Sequence, residues 1–367
     1  MIDPRMQKLA HVLVHHSMKV KPGENVNLIL RDPNLDFARV MVQQVQAAGG
    51  RPFVELSDSR VVRALHRGMD EQLAAQMAQF ACEKFEQMDC SMHFIGAHNE
   101  MELSDVPGSV QAMYRRVYSQ PVDVAMRKRP TRWVVVQWPT AEAAQKAGMS
   151  TEAFEDFFFD VCCVDYEAME RNMQPLKALM ERTDRVEIKG PGTDLSFSIK
   201  GIPAVPCAGE FNIPDGEIFT APVRESVNGV ITFNAPSVEG GFRFENICLT
   251  FRDGKCIEAT ANDSRRLNEL LDTDEGARYV GEFAFGVNPL ITTPMCDTLF
   301  DEKIAGSIHM AMGNCYEDEA PNGNVSGLHW DMICLQNEGG TVRFDGVVVR
   351  ENGRFVLPEL ESLNPVK

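Results

Sequence analysis

The sequence predicts an α/β protein: an N-terminal, mostly parallel sheet flanked by helices, followed by a strand-rich mixed α/β domain. Three observations carry this prediction. Short runs of β-branched residues alternate with amphipathic helical stretches as far as Gln137. After Arg185 strands dominate, separated by turns marked with glycine and aspartate. The chain has 367 residues, enough for two domains, each with its own core.

Residues 6–19 place Met6, Leu9, Leu13 and Val14 on one helical face, and Lys21-Pro22-Gly23-Glu24 turns the chain. Val26–Leu30 reads as a short buried strand. Asp36–Ala48 is helical, with Phe37, Val40, Met41 and Val45 on one stripe. Gly49-Gly50 ends it, and Pro52–Leu56 returns as a strand. Strand, helix and strand within about 30 residues make a βαβ unit, which requires parallel pairing. The alternation continues with a helix over Glu71–Met88, a strand over Cys90–Gly96, a helix within Val106–Arg127 and a strand over Trp133–Gln137. No GxGxxG follows the first strand and no Walker A motif occurs, so nothing supports a nucleotide site.

Thr151–Asp160, with Thr151 as its cap, and Asp165–Thr183 read as a helical pair bridging two domains, 1–184 and 185–367. Strands are predicted over Val186–Lys189, Leu195–Ile199, Gly229–Asn234, Phe242–Arg252 and Cys256–Ala261, with a helix over Asp263–Leu271. Thr341–Arg343 and Val347–Val349, joined through Asp345-Gly346, form a closing hairpin.

Composition narrows the function class. The apolar fraction is 44% and the charged fraction 24%, as in soluble globular proteins. No apolar run reaches the roughly 18 residues of a membrane span. The N-terminal MIDPRMQKLAHVLVHH lacks the h-region of a signal peptide, so a cytoplasmic location is expected. The ten cysteines show no CxxC pair and no repeated spacing, and read as reduced, buried thiols. A net charge of −17 discourages nucleic acid and anionic membrane partners.

The chemistry concentrates between Asp301 and Met332. Ile308-His309-Met310-Ala311-Met312 alternates like a strand, with His309 facing away from Ile308 and Met310. His329-Trp330-Asp331 sets a histidine and an aspartate on one side of another strand. Imidazole, carboxylate and phenol oxygen are ligands for divalent transition metals. Glu217 follows the Pro214-Asp215-Gly216 turn and Glu282 follows Gly281; each reads as a turn acid able to complete a ligand set. Tyr316 is one of five tyrosines. Spacing does not decide between packing, metal ligation and hydrogen bonding to an oxyanion.

Several segments together resemble the aminopeptidase T and aminopeptidase S family of metallopeptidases. They are Lys19–Glu24 (KVKPGE), Gln145–Met149 (QKAGM), Gly190–Leu195 (GPGTDL), Asn212–Pro222 (NIPDGEIFTAP), Leu270–Ala277 (LLDTDEGA), Asp301–Ile304 (DEKI), the His309 strand and Leu328–Met332 (LHWDM). The resemblance implies two divalent ions per chain (Zn, Co or Mn), held by Glu217, Glu282, His309, Tyr316, His329 and Asp331. It also implies a homodimer that acts on peptides with a free N-terminus. On that reading the ions lie about 3.5–4 Å apart, share Glu282 or Asp331, and activate a bridging water. Tyr316 stabilises the oxyanion, and Glu217 or Glu282 is available as proton carrier. Between Tyr316 and His329 lies a short acidic loop, EDEAPNGNVSG.

Two other readings use fewer residues. His309, His329 and Asp331 alone form a 2-His-1-carboxylate set, as in non-haem iron ring-opening dioxygenases. A non-catalytic metal-binding protein is the third.

Overall fold

The computed structural model describes residues 2–127 and 131–365 and separates the chain into two units. One comprises Met1–Val164 with Gly209–Pro214; the other comprises Asp165–Ala208 with Asp215–Lys367. The division thus falls between the two helices of the predicted bridging pair, not at 184/185.

The first unit holds a five-stranded, all-parallel sheet. Its order is Arg51–Ser57, Asn25–Arg31, Cys90–Ile95, Arg132–Gln137, Asn212–Ile213. Val26, Leu28 and Leu30 are wholly buried, as expected for an inner strand with helices on both faces. The helices start at side-chain caps: Asn34 accepts from Phe37 N, Asp70 from Leu73 N and Thr140 from Ala143 N. Ser150, rather than Thr151, caps Thr151–Cys162. The first helix begins earlier than its apolar stripe, at Pro4, because Asp3 caps it and proline suits the first turn. Ser59–Arg67 and Ala141–Lys146 are helices whose apolar spacing is too sparse to be read in sequence.

The second unit stacks antiparallel sheets. An eight-stranded sheet runs Lys255–Thr260, Ile247–Arg252, Asn228–Phe233, Thr193–Ser198, Arg185–Gly190, Thr341–Phe344, Val347–Glu351, Arg354–Phe355. The predicted strand Phe242–Arg252 is two strands. Asn246 adopts φ 54° and breaks it, and Phe242–Phe244 pairs instead with Ser237–Glu239. A five-stranded sheet runs His329–Leu335, Ser307–Gly313, Val280–Gly286, Glu217–Thr220, Val205–Cys207. Every residue of Val280–Gly286, Ser307–Gly313 and Glu217–Thr220 is buried, so alternation along these strands sets bulky side chains against small or polar ones rather than core against solvent.

Aromatic rings join the two sheets. Phe283 meets Phe197 edge-on at 5.0 Å between centroids, and Phe285 lies 6.0 Å from Phe344 and 5.5 Å from Phe355. Burying each such ring is worth about 2–3 kcal/mol. This packing fixes one face of the five-stranded sheet against the core and turns the other toward the polar cluster described below. All ten cysteines are free thiols. Among the described residues, no helix is long and apolar enough to cross a membrane.

Candidate metal centre

Cross-strand register explains why five of the six sequence-predicted residues meet. Glu282 pairs with Ala311, and Ala311 with Asp331. Ala284 pairs with His309, Gly286 with Glu217, and Gly313 with His329. Residues two apart, and residues directly opposite, share a sheet face. Glu217, Glu282, His309, His329 and Asp331 therefore project from one face. Ala284, Gly286, Ala311 and Gly313 supply small residues between them, leaving space for the long polar side chains. Glu217 and Glu282 are thus strand residues, 6% and 3% exposed, rather than turn acids; tertiary packing overrides the adjacent glycines.

Glu217 Oε2 lies 3.0 Å from His309 Nε2. Glu282 presents Oε1 to His309 Nε2 at 3.4 Å and Oε2 to His329 Nε2 at 3.4 Å. Asp331 Oδ2 is 3.7 Å from His329 Nε2. The Nδ1–H of His329 donates to the Asn314 carbonyl at 2.9 Å, which directs Nε2 into the cluster. The Tyr316 ring packs 5.1 Å from that of His329 and 5.1 Å from that of Phe219, so the sixth predicted residue borders the cluster. The loop between Tyr316 and His329 is pinned. Asn322 Nδ2 donates to the carbonyls of Pro222 and Val280, and Asn324 Nδ2 to those of Gly276 and Gly313.

Two further residues enter the cluster that sequence reasoning missed as site residues, although DEKI was noted. Lys303 Nζ lies 2.6 Å from Glu217 Oε1, 2.6 Å from Glu302 Oε1 and 3.7 Å from Asp215 Oδ1. A usable sequence cue existed elsewhere. Glu282-Phe-Ala-Phe-Gly286 and His309-Met-Ala-Met-Gly313 repeat one pattern, with a polar residue, alanine and glycine on one face and bulky residues on the other.

Burial and mutual charge set the protonation of the metal-free cluster. Burial pushes the Glu217 carboxyl up, but Lys303 and His309 outweigh it and hold it below the ordinary range. Burial likewise opposes ionisation of Glu282, yet hydrogen bonds to His309 and His329 bring it down to about 2. Burial would lower both histidines; the carboxylates around them win, raising His309 well above its ordinary value and His329 to about 10. Glu302 is pushed up to about 8 by burial, against the pull of Lys303. Burial and the neighbouring carboxylates keep the Tyr316 phenol protonated.

The arrangement fits a divalent cation. Glu217, Glu302 and His309 form one group, and Glu282, His329 and Asp331 another, with the ligand atoms of each within 4.8 Å of one another. His309 Nδ1 and Asp331 Oδ1 are buried without a hydrogen-bond partner among the described residues. Mixed nitrogen and oxygen donors suit zinc and its neighbours. Both glutamates stand within contact of the histidines, so the site holds more carboxylate than a 2-His-1-carboxylate iron centre uses.

Known proteins resemble this chain along most of its length. The family model for thermophilic metalloprotease (M29) matches residues 2–355. The chain is 28% identical over 352 residues to aminopeptidase T of Thermus thermophilus, with 85% of each chain covered. Wild-type AmpT from Thermus thermophilus superposes with a TM-score of 0.85 at 25% identity, covering 97% of this chain and 100% of that one. A 2,5-dihydroxypyridine dioxygenase from Pseudomonas putida KT2440 has a TM-score of 0.62 at 12% identity, covering 97% and 98%, a likeness of fold alone. The chain belongs to the thermophilic metalloprotease (M29) family and is a metal-dependent hydrolase.

Proposed function

We propose that the chain is a two-metal aminopeptidase that removes residues from the free N-terminus of peptides. The position of Glu282 carries this reading: one carboxylate oxygen faces each histidine, both at 3.4 Å. With two ions bound, Glu282 would be a ligand to both. Glu217 and His309 would hold one ion with it, and His329 and Asp331 the other. Two divalent ions (Zn, Co or Mn) held there would supply a Lewis acid for the scissile carbonyl and a water acidified for attack. The chain's own residues do the rest. Asn314 orients His329 through its carbonyl. Tyr316, beside His329, either ligates or donates its proton in a hydrogen bond to the developing oxyanion. The acidic cluster also offers counter-charge to a substrate α-ammonium. In this reading the enzyme acts in the cytoplasm as a homodimer, and a monomer mass in light scattering would remove the dimer.

The decisive experiment strips the protein with chelator, reloads it with Zn, Co or Mn, and follows hydrolysis of aminoacyl-p-nitroanilides beside metal content. Activity is expected to vanish on stripping and return near two ions per chain. Oxygen uptake with one bound iron and no amine release would overturn the reading.

A further inference from the structure

Lys303 is a wholly buried ammonium inside the cluster. It takes one oxygen of Glu217 and one of Glu302, leaving the second Glu217 oxygen toward His309. Its backbone is held in place: its carbonyl accepts from Asn288 N at 3.0 Å. Gly286 permits this approach, since a Cβ there would stand 2.8 Å from the Lys303 carbonyl carbon and 2.3 Å from the Ile304 oxygen. The residue is thus anchored at its backbone, and its ammonium is enclosed by carboxylates in the buried cluster. In the other half, among the described residues, neither Glu282 nor Asp331 pairs with any lysine or arginine.

The two halves differ accordingly in what their carboxylates face. Glu217 and Glu302 each commit one oxygen to the Lys303 ammonium, whereas Glu282 and Asp331 face only histidines. Asp215 Oδ1, 3.7 Å from Nζ, is a third buried carboxylate beside the ammonium and holds it charged without joining the converging ligand atoms. A fixed positive charge a few ångströms from a dication in a buried site opposes its binding strongly.

We propose that Lys303 is a built-in counter-ion that weakens the Glu217–His309 position, making its ion the exchangeable one of an unequal pair. This rests on the two-metal reading above. Lys303 acts through Glu217 and is a positioning residue.

The test is a stepwise Zn titration of the stripped protein against a competing chelator dye, with circular dichroism to verify folding. The wild type is expected to show two binding steps separated by about tenfold or more. In Lys303→Met the weaker step tightens by about tenfold or more and the steps converge. Lys303→Arg keeps them apart. A folded Lys303→Met whose weaker step is unchanged or further weakened would overturn the inference, because a merely structural lysine cannot tighten a site by leaving. Should Lys303→Met not fold without metal, Lys303→Met/Glu302→Gln conserves the net charge. It is then expected to keep the wild-type separation, and loss of its weaker step counts against the inference. A wild type that takes up fewer than two ions fails the two-metal reading itself.

Discussion

The two halves of the candidate centre are built from the same donors and differ in their surroundings. The Glu217–His309 half is closed: His309 is fully buried and a buried ammonium stands behind the glutamate. The Glu282–His329–Asp331 half is more open, with the His329 side chain 27% exposed, a carbonyl orienting its ring and Tyr316 alongside. Identical donor chemistry thus need not give identical sites. The lesson is that the neighbours of a ligand set its charge and access, while the ligand type sets only which metals it accepts.

The largest effect is expected where the halves meet. Glu282→Gln removes the carboxylate that faces both histidines, so metal content and kcat should fall together, the latter by more than about a thousandfold. Full metal occupancy with near-normal turnover would show that the halves are independent. Tyr316→Phe tests the open half alone. If the phenol serves the oxyanion, kcat drops by about a hundredfold with metal content unchanged; loss of one ion instead identifies a ligand.

A pH series on the stripped protein sharpens the comparison further. His329 rises from about 6.5 in the unfolded chain to about 10 when folded. Its contribution is fully present below about pH 6.5 and lost as pH climbs toward 10. Glu282 falls from about 4.5 to about 2, so its contribution is present above about pH 4.5 and lost on acidification. Metal ligation needs neutral imidazole, so loaded protein escapes the alkaline loss. The gap in Tm between loaded and stripped protein should therefore widen from pH 6.5 to 10; a constant gap contradicts the histidine–carboxylate pairing. The smallest effect concerns the loop that leads to His329. Asn324→Ala frees the carbonyls of Gly276 and Gly313 and should cost about 1–3 kcal/mol in denaturant unfolding, with metal stoichiometry preserved.

Much of the first unit was legible because a parallel sheet with helical crossovers prints alternating strand and helix patterns on the chain. Asn25–Arg31, Cys90–Ile95 and Arg132–Gln137 lie where short apolar runs predict them. His309 and the His329–Asp331 pair were legible from period-two alternation. Glu217 and Glu282 were misread as turn acids, because adjacent glycines usually mark turns, and here they mark close backbone approach. At Gly216 and Gly281 an added Cβ would meet Asn288 and Asn314. Lys303 and Glu302 were missed because a Glu-Lys pair in sequence ordinarily lies on a solvated surface.

By itself, then, the sequence determined the α/β class, the strand character of the histidine segments and the supply of ligand-type residues. Only the tertiary structure decided that Glu282, Ala311 and Asp331 stand in one row and that Lys303 reaches Glu217. The physical reason is that local sequence sets which side of a strand a residue faces, whereas strand register and sheet-on-sheet packing set what it faces. Those depend on contacts between segments far apart in the chain.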